Sequence, residues 1–205
     1  MKKNKIDIIN GHGKVLPGKK VSVSNGKKTE EYLAKHIIIA TGARSRELPA
    51  IPQNGKNIIG YRKAMTLEKQ PKKLVVIGSG AIGIEFAYFY NTMGTEVVIV
   101  EYLDRILPVE DEEVSKQLER SFKKSGIKIF TNAEVKKVET KNKSVNVTIK
   151  TKSNEEILSA DIVLSAVGIK TNIENIGLED VGIATDNDKI MVNDFYQTNI
   201  PGYYA

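Results

Sequence analysis

Three glycines and one glutamate carry the most specific chemistry in the sequence. In "KLVVIGSGAIGIEFAYFY", Gly78, Gly80 and Gly83 fall in the GxGxxG spacing, directly after an apolar run and at the opening of an apolar-faced helical pattern. That context gives each glycine a task. Gly78 makes a tight turn, Gly80 lets the backbone approach a pyrophosphate, and Gly83 lets the helix pack closely on the strand. The helix N-terminus adds unpaired N–H groups aimed at the anion. Glu101 stands 23 positions after Gly78 (101 − 78), just beyond the next apolar run, "EVVIV". A carboxylate there accepts from both hydroxyls of an adenosine ribose and repels a 2′-phosphate, so the spacing predicts a site for NAD(H) in preference to NADP(H).

Positioning these groups requires a strand, a glycine turn and a helix in series, and the chain supplies them. After "KLVVI" the pattern predicts a helix over 81–93, a strand over 96–100, a helix over 111–126 ("DEEVSKQLERSFKKSG") and a strand at "IKIF". Helices between strands imply a parallel sheet. Phe86, Ala87 and Tyr90 repeat at helical spacing and are read as core. "AEVKKVET" and "SVNVTIKTK" alternate apolar and polar residues, an antiparallel excursion, before a buried strand at "DIVLSAVG".

Residues 5–42 read as short strands, "IDII", "VSVS" and "EEYLAKHIIIATG", the last a buried one, with Asn25-Gly26 marking a tight turn. Residues 43–73, punctuated by Pro49, Pro52 and Pro71, read as a connector carrying one short helix near Arg62 to Leu67. Two stretches echo each other: "EEYLAKHIIIATGARS" (30–45) and "EEILSADIVLSAVGIKT" (155–171) both run from paired glutamates into an apolar strand ending in a small residue and glycine. The echo suggests a duplicated nucleotide-binding unit whose first glycine turn falls before Met1. The expected fold class is α/β: a Rossmann-like domain with a parallel sheet and an antiparallel β excursion, plus part of a second α/β domain. The expected boundaries are 1–45 for the partial domain, 46–73 for the connector, 74–172 for the dinucleotide domain and 173–205 for a return segment.

Composition narrows the classes. The chain has 205 residues, 40% of them hydrophobic, enough for a real core. It contains no cysteine, which removes disulfides, thiolate metal sites and thiol nucleophiles. The formal charge of +6 is scattered in ones and twos among acidic residues, without an aromatic platform beside it, so no nucleic-acid role is expected. No apolar run reaches the roughly 20 residues that span a bilayer, and the amino end carries no apolar stretch of signal-peptide length, giving a cytoplasmic expectation with no membrane role. His12 and His36 are assigned no chemistry, and no metal site is expected.

The string "VVIGSGAIGIEFAYFYNTMGTEVVIVEYLDRILPVEDEEV" resembles the NAD-binding domain of the flavin-dependent pyridine nucleotide–disulfide oxidoreductases, the dihydrolipoamide dehydrogenases in particular. "NGHGKV", "IIIATGARSRELP", "SAVGIKTN" and "QTNIPGYYA" resemble the family's successive landmarks in the family's order. Glu101 and "EYLDRILP" favour the lipoamide branch over mercuric, glutathione or transhydrogenase-type reductases. The resemblance implies electron transfer from a dithiol through an enzyme disulfide and FAD to NAD⁺. It implies that Gly78, Ser79, Gly80, Ala81, Ile82, Gly83, Glu85 and Glu101 hold NAD, with Val135 at the adenine and Gly168 at the nicotinamide side. Gly13, Thr41, Gly42 and Ala43 would line the FAD site. Glu85 corresponds to an acid that pairs with a lysine near the flavin; as a plain helix residue it would be a first-turn glutamate.

The resemblance further implies a homodimeric parent serving a 2-oxo acid dehydrogenase complex or a lipoyl domain. The family's FAD glycine turn, its CxxxxC pair and its C-terminal His–Glu pair have no counterpart here, and Lys170 stands where an arginine is common. The expectation is therefore a part of such an enzyme, inactive alone and with no catalytic residue of its own. The alternatives are the NAD domain of a related reductase, mercuric reductase-like or transhydrogenase-like, and a stand-alone dinucleotide-binding or sensing module, in which "HIIIATG" would be buried.

Overall fold

The computed structural model describes residues 1–141 and 144–205. Two compact units emerge, one made of Met1–Arg44 with Lys170–Ala205, the other of Ser45–Ile169.

In chain order the first unit holds β1 (His12–Leu16), β2 (Lys20–Ser24), β3 (Thr29–Leu33) and β4 (Ile37–Ile38), followed by β5 (Ala43–Ser45) at the boundary. The second unit contains β6 (Ile58–Ile59), α1 (Tyr61–Ala64), β7 (Lys73–Ile77), α2 (Ala81–Thr92), β8 (Glu96–Val100), α3 (Glu112–Lys124), β9 (Lys128–Phe130), β10 (Glu134–Lys141), β11 (Ser144–Lys150), β12 (Glu155–Ala160) and β13 (Ile162–Ser165). Then come β14 (Ile169–Thr171) and the rest of the first unit: α4 (Leu178–Val181), β15 (Thr185–Asp186), β16 (Lys189–Ile190) and β17 (Tyr203–Tyr204). Among the described residues no helix is long and apolar enough to cross a membrane.

The second unit is layered around a five-stranded parallel sheet of order β6-β13-β7-β8-β9. Its strands are continuous apolar runs because both faces are covered. Leu74, Val76, Val97, Ile99 and Leu164 face a core shared with Ile84, Ala87 and Tyr90 of α2 and Phe122 of α3. Their neighbours Val75, Ile77, Val98, Val100 and Val163 face the opposite core, closed by Val145, Val147 and Ile149 of the antiparallel sheet β10-β11-β12. Period-two alternation thus sorts each strand between two cores. Residues 46–73, expected to form a connector, contribute β6 to the edge of this sheet and α1 to the helical layer, where the Ala64 carbonyl accepts from Tyr90 Oη at 2.6 Å.

The first unit pairs β1-β2-β3 as an antiparallel sheet and β4 with β17 in parallel. Asn25-Gly26 makes the expected turn between β2 and β3: Asn25 Oδ1 accepts from the Lys27 and Lys28 N–H groups, and Gly26 adopts φ +84°. Two expectations fail here. "IDII" forms no strand; Ile6, Ile8 and Ile9 are exposed and unpaired in any ladder, because apolarity without a partner edge does not make a strand. "HIIIATG" is buried on one face only. Ile37 and Ile39 enter the core with Val15, Ile176 and Tyr203, while Ile38 is 75% exposed, since β4 and β17 form a two-stranded sheet covered on one side.

Candidate functional site

Three parallel strands release the chain at one edge. The cross-strand partners Ile77 and Val100 end β7 and β8, and Ser165 opposite Ile77 ends β13. The residues beyond these strand ends, Gly78, Glu101 and Ala166 to Gly168, line a cavity of about 870 Å³. A crevice at the carboxyl ends of parallel strands is where such sheets bind ligands, and this volume suits a dinucleotide rather than a small ion.

The glycine turn is built as its spacing requires. Gly78 adopts φ +93°, and a Cβ there would lie 2.5 Å from the Ala166 carbonyl oxygen. A Cβ on Gly83 would overlap the Gly78 carbonyl oxygen, so the absence of a side chain sets the spacing of α2 on β7. Around Gly80 nothing lies within 4 Å of that point, leaving its cavity side open. Gly80 also caps α2 without a side-chain hydrogen bond, and the first turn of α2 contains no acid. The first N–H groups of α2 are therefore available to an anion. By contrast, α3 is closed by its own sequence: Asp111 accepts from the Glu113 N–H at 2.8 Å, and Glu112 and Glu113 fill its first turn.

Glu101, 7% exposed, joins the turn to the loop beyond β8. Its Oε2 accepts from the Ser79 N–H at 2.8 Å and from Ser79 Oγ at 2.6 Å, while Oε1 accepts from the Leu103 N–H at 2.8 Å. The Ser79 carbonyl in turn accepts from the Leu107 N–H at 2.9 Å. The carboxylate is held rigidly at the cavity wall with roughly one of its four acceptor directions unused. A ribose diol engaging both oxygens therefore has to share or displace the Ser79 hydroxyl.

The model for the pyridine nucleotide-disulphide oxidoreductases matches residues 1–205. The chain belongs to this family. It is 44% identical to a dihydrolipoyl dehydrogenase of Rhizobium etli over 221 aligned residues, covering 100% of this chain and 46% of that protein. A dihydrolipoyl dehydrogenase of Bacillus subtilis is 38% identical, again over 100% of this chain and 46% of the relative. Among solved structures, LpdA of Mycobacterium tuberculosis superposes with a TM-score of 0.84 at 30% identity, over 96% of this chain and 44% of that one. The HOCl-induced flavoprotein disulfide reductase RclA of Escherichia coli, at 24% identity and TM-score 0.82 over 97% of this chain and 44% of that one, shares the fold. The chain thus spans a little under half the length of these relatives.

Within this family member, Gly78, Ser79, Gly80, Ala81, Ile82, Glu101, Val135 and Gly168 line one cavity. Gly83 sits behind it as packing. Glu85 does not join them: exposed and in the second turn of α2, not the first, it lines a separate groove with Phe86, Phe89 and Met93. Helical rotation carries position 85 away from the turn that positions 78–82 form.

The flavin-side expectations lie in the first unit. Gly13 pairs with Val23, and the Thr41 and Gly42 carbonyls accept from Asn172 at 3.1 and 2.9 Å, just before Ala43 opens β5. Residues 1–44 and 170–205 contain no GxGxxG turn. Lys170, in the same unit, pairs with Glu174 at 2.9 Å.

Sequence reasoning missed the cavity's outer walls: Arg46, Leu48 and Ile51 on one side, Pro108 and Val109 on another. These come from aperiodic segments, where no pattern marks a lining residue. The motif marks Ser79 only as a turn position and does not reveal its hydroxyl bond to Glu101. A hydroxyl between two motif glycines was the available signal.

Proposed function

We propose that the second unit binds NAD(H), and that the chain is the pyridine-nucleotide part of a dihydrolipoyl dehydrogenase. The observation that carries this is the meeting, in one cavity, of an uncapped helix N-terminus at an open glycine with a buried carboxylate at the end of the neighbouring strand. The α2 N–H groups would hold the pyrophosphate. Glu101 would accept from the adenosine ribose and would reject a 2′-phosphate. When bound, the dinucleotide supplies the hydride acceptor; the chain's residues bind and orient it.

The relatives are named dihydrolipoyl dehydrogenases, and the parent activity proposed from the family resemblance is dithiol oxidation passed through a disulfide and FAD to NAD⁺, in a homodimer serving 2-oxo acid dehydrogenase complexes or lipoyl domains. With no cysteine and no second glycine turn, this chain supplies neither the disulfide nor a complete flavin site. It should show no lipoamide-dependent turnover.

The test is a fluorescence titration of the 205-residue chain with NADH and NADPH, repeated on Glu101→Ala and Glu101→Arg. Wild type should prefer NADH, the alanine variant should weaken it, and the arginine variant should move the preference toward NADPH. Absence of NADH binding at millimolar concentration, or an unchanged preference in a folded Glu101→Arg, would sink the assignment.

A further inference from the structure

Resting on the dinucleotide reading above, we infer that Arg46 discriminates the redox state of the bound nicotinamide, favouring NADH over NAD⁺. Arg46 lines the same cavity as Gly78 and Glu101. Its backbone N–H donates to the Gly168 carbonyl at 3.0 Å, and its Nε lies 3.9 Å from where a Gly168 Cβ would be. The guanidinium therefore runs along the bare backbone of Gly168. Among the described residues its side chain has no hydrogen bond and no ion pair, whereas Glu101 is tied to Ser79 and Leu103, and Glu134, the other acid of this cavity, pairs with Lys136 at 2.7 Å. Arg46 is thus the uncompensated cation among the described residues that line the cavity.

Its position along the sheet decides which part of the ligand it meets. The strand order places β8 on one side of β7 and β13 on the other. Glu101 fixes the adenosine over β8, and the α2 N-terminus fixes the pyrophosphate over β7. The remaining half of the dinucleotide then crosses to β13, whose exit is Gly168 with Arg46 against it. The two oxidation states differ there by one unit of charge: the oxidised ring is a cation and the reduced ring is neutral. A guanidinium there opposes the first and leaves the second alone. Across roughly 8 Å, at an effective permittivity between the ~20 of a near-surface pair and the ~80 of water, one such charge changes a binding constant by about two- to thirty-fold.

Isothermal titration of wild type, Arg46→Met and Arg46→Lys with NADH, NAD⁺ and ADP-ribose tests this. Arg46 is exposed, so neither substitution disturbs a core. The methionine variant should improve NAD⁺ binding relative to NADH by about two- to thirty-fold, leave ADP-ribose unchanged, and show a weakened salt dependence of the ratio. The lysine variant should keep the wild-type ratio. Equal weakening of all three ligands would make Arg46 a phosphate contact and overturn the inference, as would an unchanged ratio. Failure of wild type to bind any of the three would overturn the dinucleotide reading and this inference together.

Discussion

Replacing Glu101 by glutamine removes one negative charge while nearly preserving shape, and the hydrogen-bond geometry sets the cost. The carboxylate accepts three hydrogen bonds, two from Ser79 and one from the Leu103 N–H. An amide has one oxygen and one NH₂. If the oxygen stays on Ser79, the NH₂ faces the Leu103 N–H, donor against donor; flipping it faces Ser79 instead. Either way at least one N–H, the buried one of Ser79 or the half-buried one of Leu103, loses its partner and the remaining bonds lose charge assistance. An unmatched buried donor costs about 1–3 kcal/mol, partly offset because a neutral amide is cheaper to bury than a carboxylate. A net local destabilisation of about 2 kcal/mol is expected. By native-state hydrogen exchange, the Ser79 and Leu103 amides should exchange about 30-fold faster, while amides in β11 should change little. An effect below about 0.5 kcal/mol at both amides would refute the argument that this carboxylate organises the turn.

Gly80 and Gly83 should separate binding from stability. Gly80→Ala meets open space at φ −67°, so it should leave urea unfolding within about 0.5 kcal/mol of wild type yet weaken NADH at least several-fold. Gly83→Ala drives a methyl into the Gly78 carbonyl and should cost about 2 kcal/mol, exceeding the roughly 1 kcal/mol that alanine gains in a helix; equal stability of the two variants would contradict this packing role. In the first unit, hydrogen bonds from Arg44 at 2.7 and 3.1 Å, and then from Lys170 at 2.9 Å, hold the Glu174 carboxyl well below the usual carboxylate range. A depressed pKa contributes stability that is present above the unfolded value and lost as pH falls, so acidification from about pH 7 to about pH 3 should lower the melting temperature of wild type more steeply than that of Glu174→Gln. Parallel curves would show that the exposed cluster contributes nothing to folding.

The sequence was most legible where periodicity and spacing act together. A helix expected over 81–93 spans Ala81–Thr92, the strand at 96–100 is Glu96–Val100, and the helix at 111–126 spans Glu112–Lys124. Each of these elements is defined by its own residues and by glycines or caps at its ends. "IDII" was not legible, because a strand depends on a partner edge that lies elsewhere in the chain. Glu85 lines a groove apart from the cavity of the glycine turn, because on a helix direction changes by about 100° per residue. Arg46 illustrates another limit. It reaches the cavity through a backbone bond to Gly168, 122 positions away (168 − 46), a pairing no local pattern encodes.

The echo between residues 30–45 and 155–171 has a physical content in the fold. In each unit the glutamate pair lies on the last strand of a three-stranded antiparallel sheet, β3 or β12, and the chain then enters a parallel strand, β4 or β13. Soon after each parallel strand comes a glycine with positive φ, Gly42 at +70° or Gly168 at +109°. The shared letters encode that sequence of tasks: charge on an edge that must not pair further, apolar residues for a covered strand, and a glycine to turn the chain at the strand's carboxyl end. The outcomes differ with the surroundings. Both glycine carbonyls accept from a backbone N–H, Gly42 from Asn172 and Gly168 from Arg46, but Gly168 also borders a cavity beside a GxGxxG turn. One backbone device, used twice, thus borders this cavity at Gly168, where the uncapped N-terminus of α2 stands next to it.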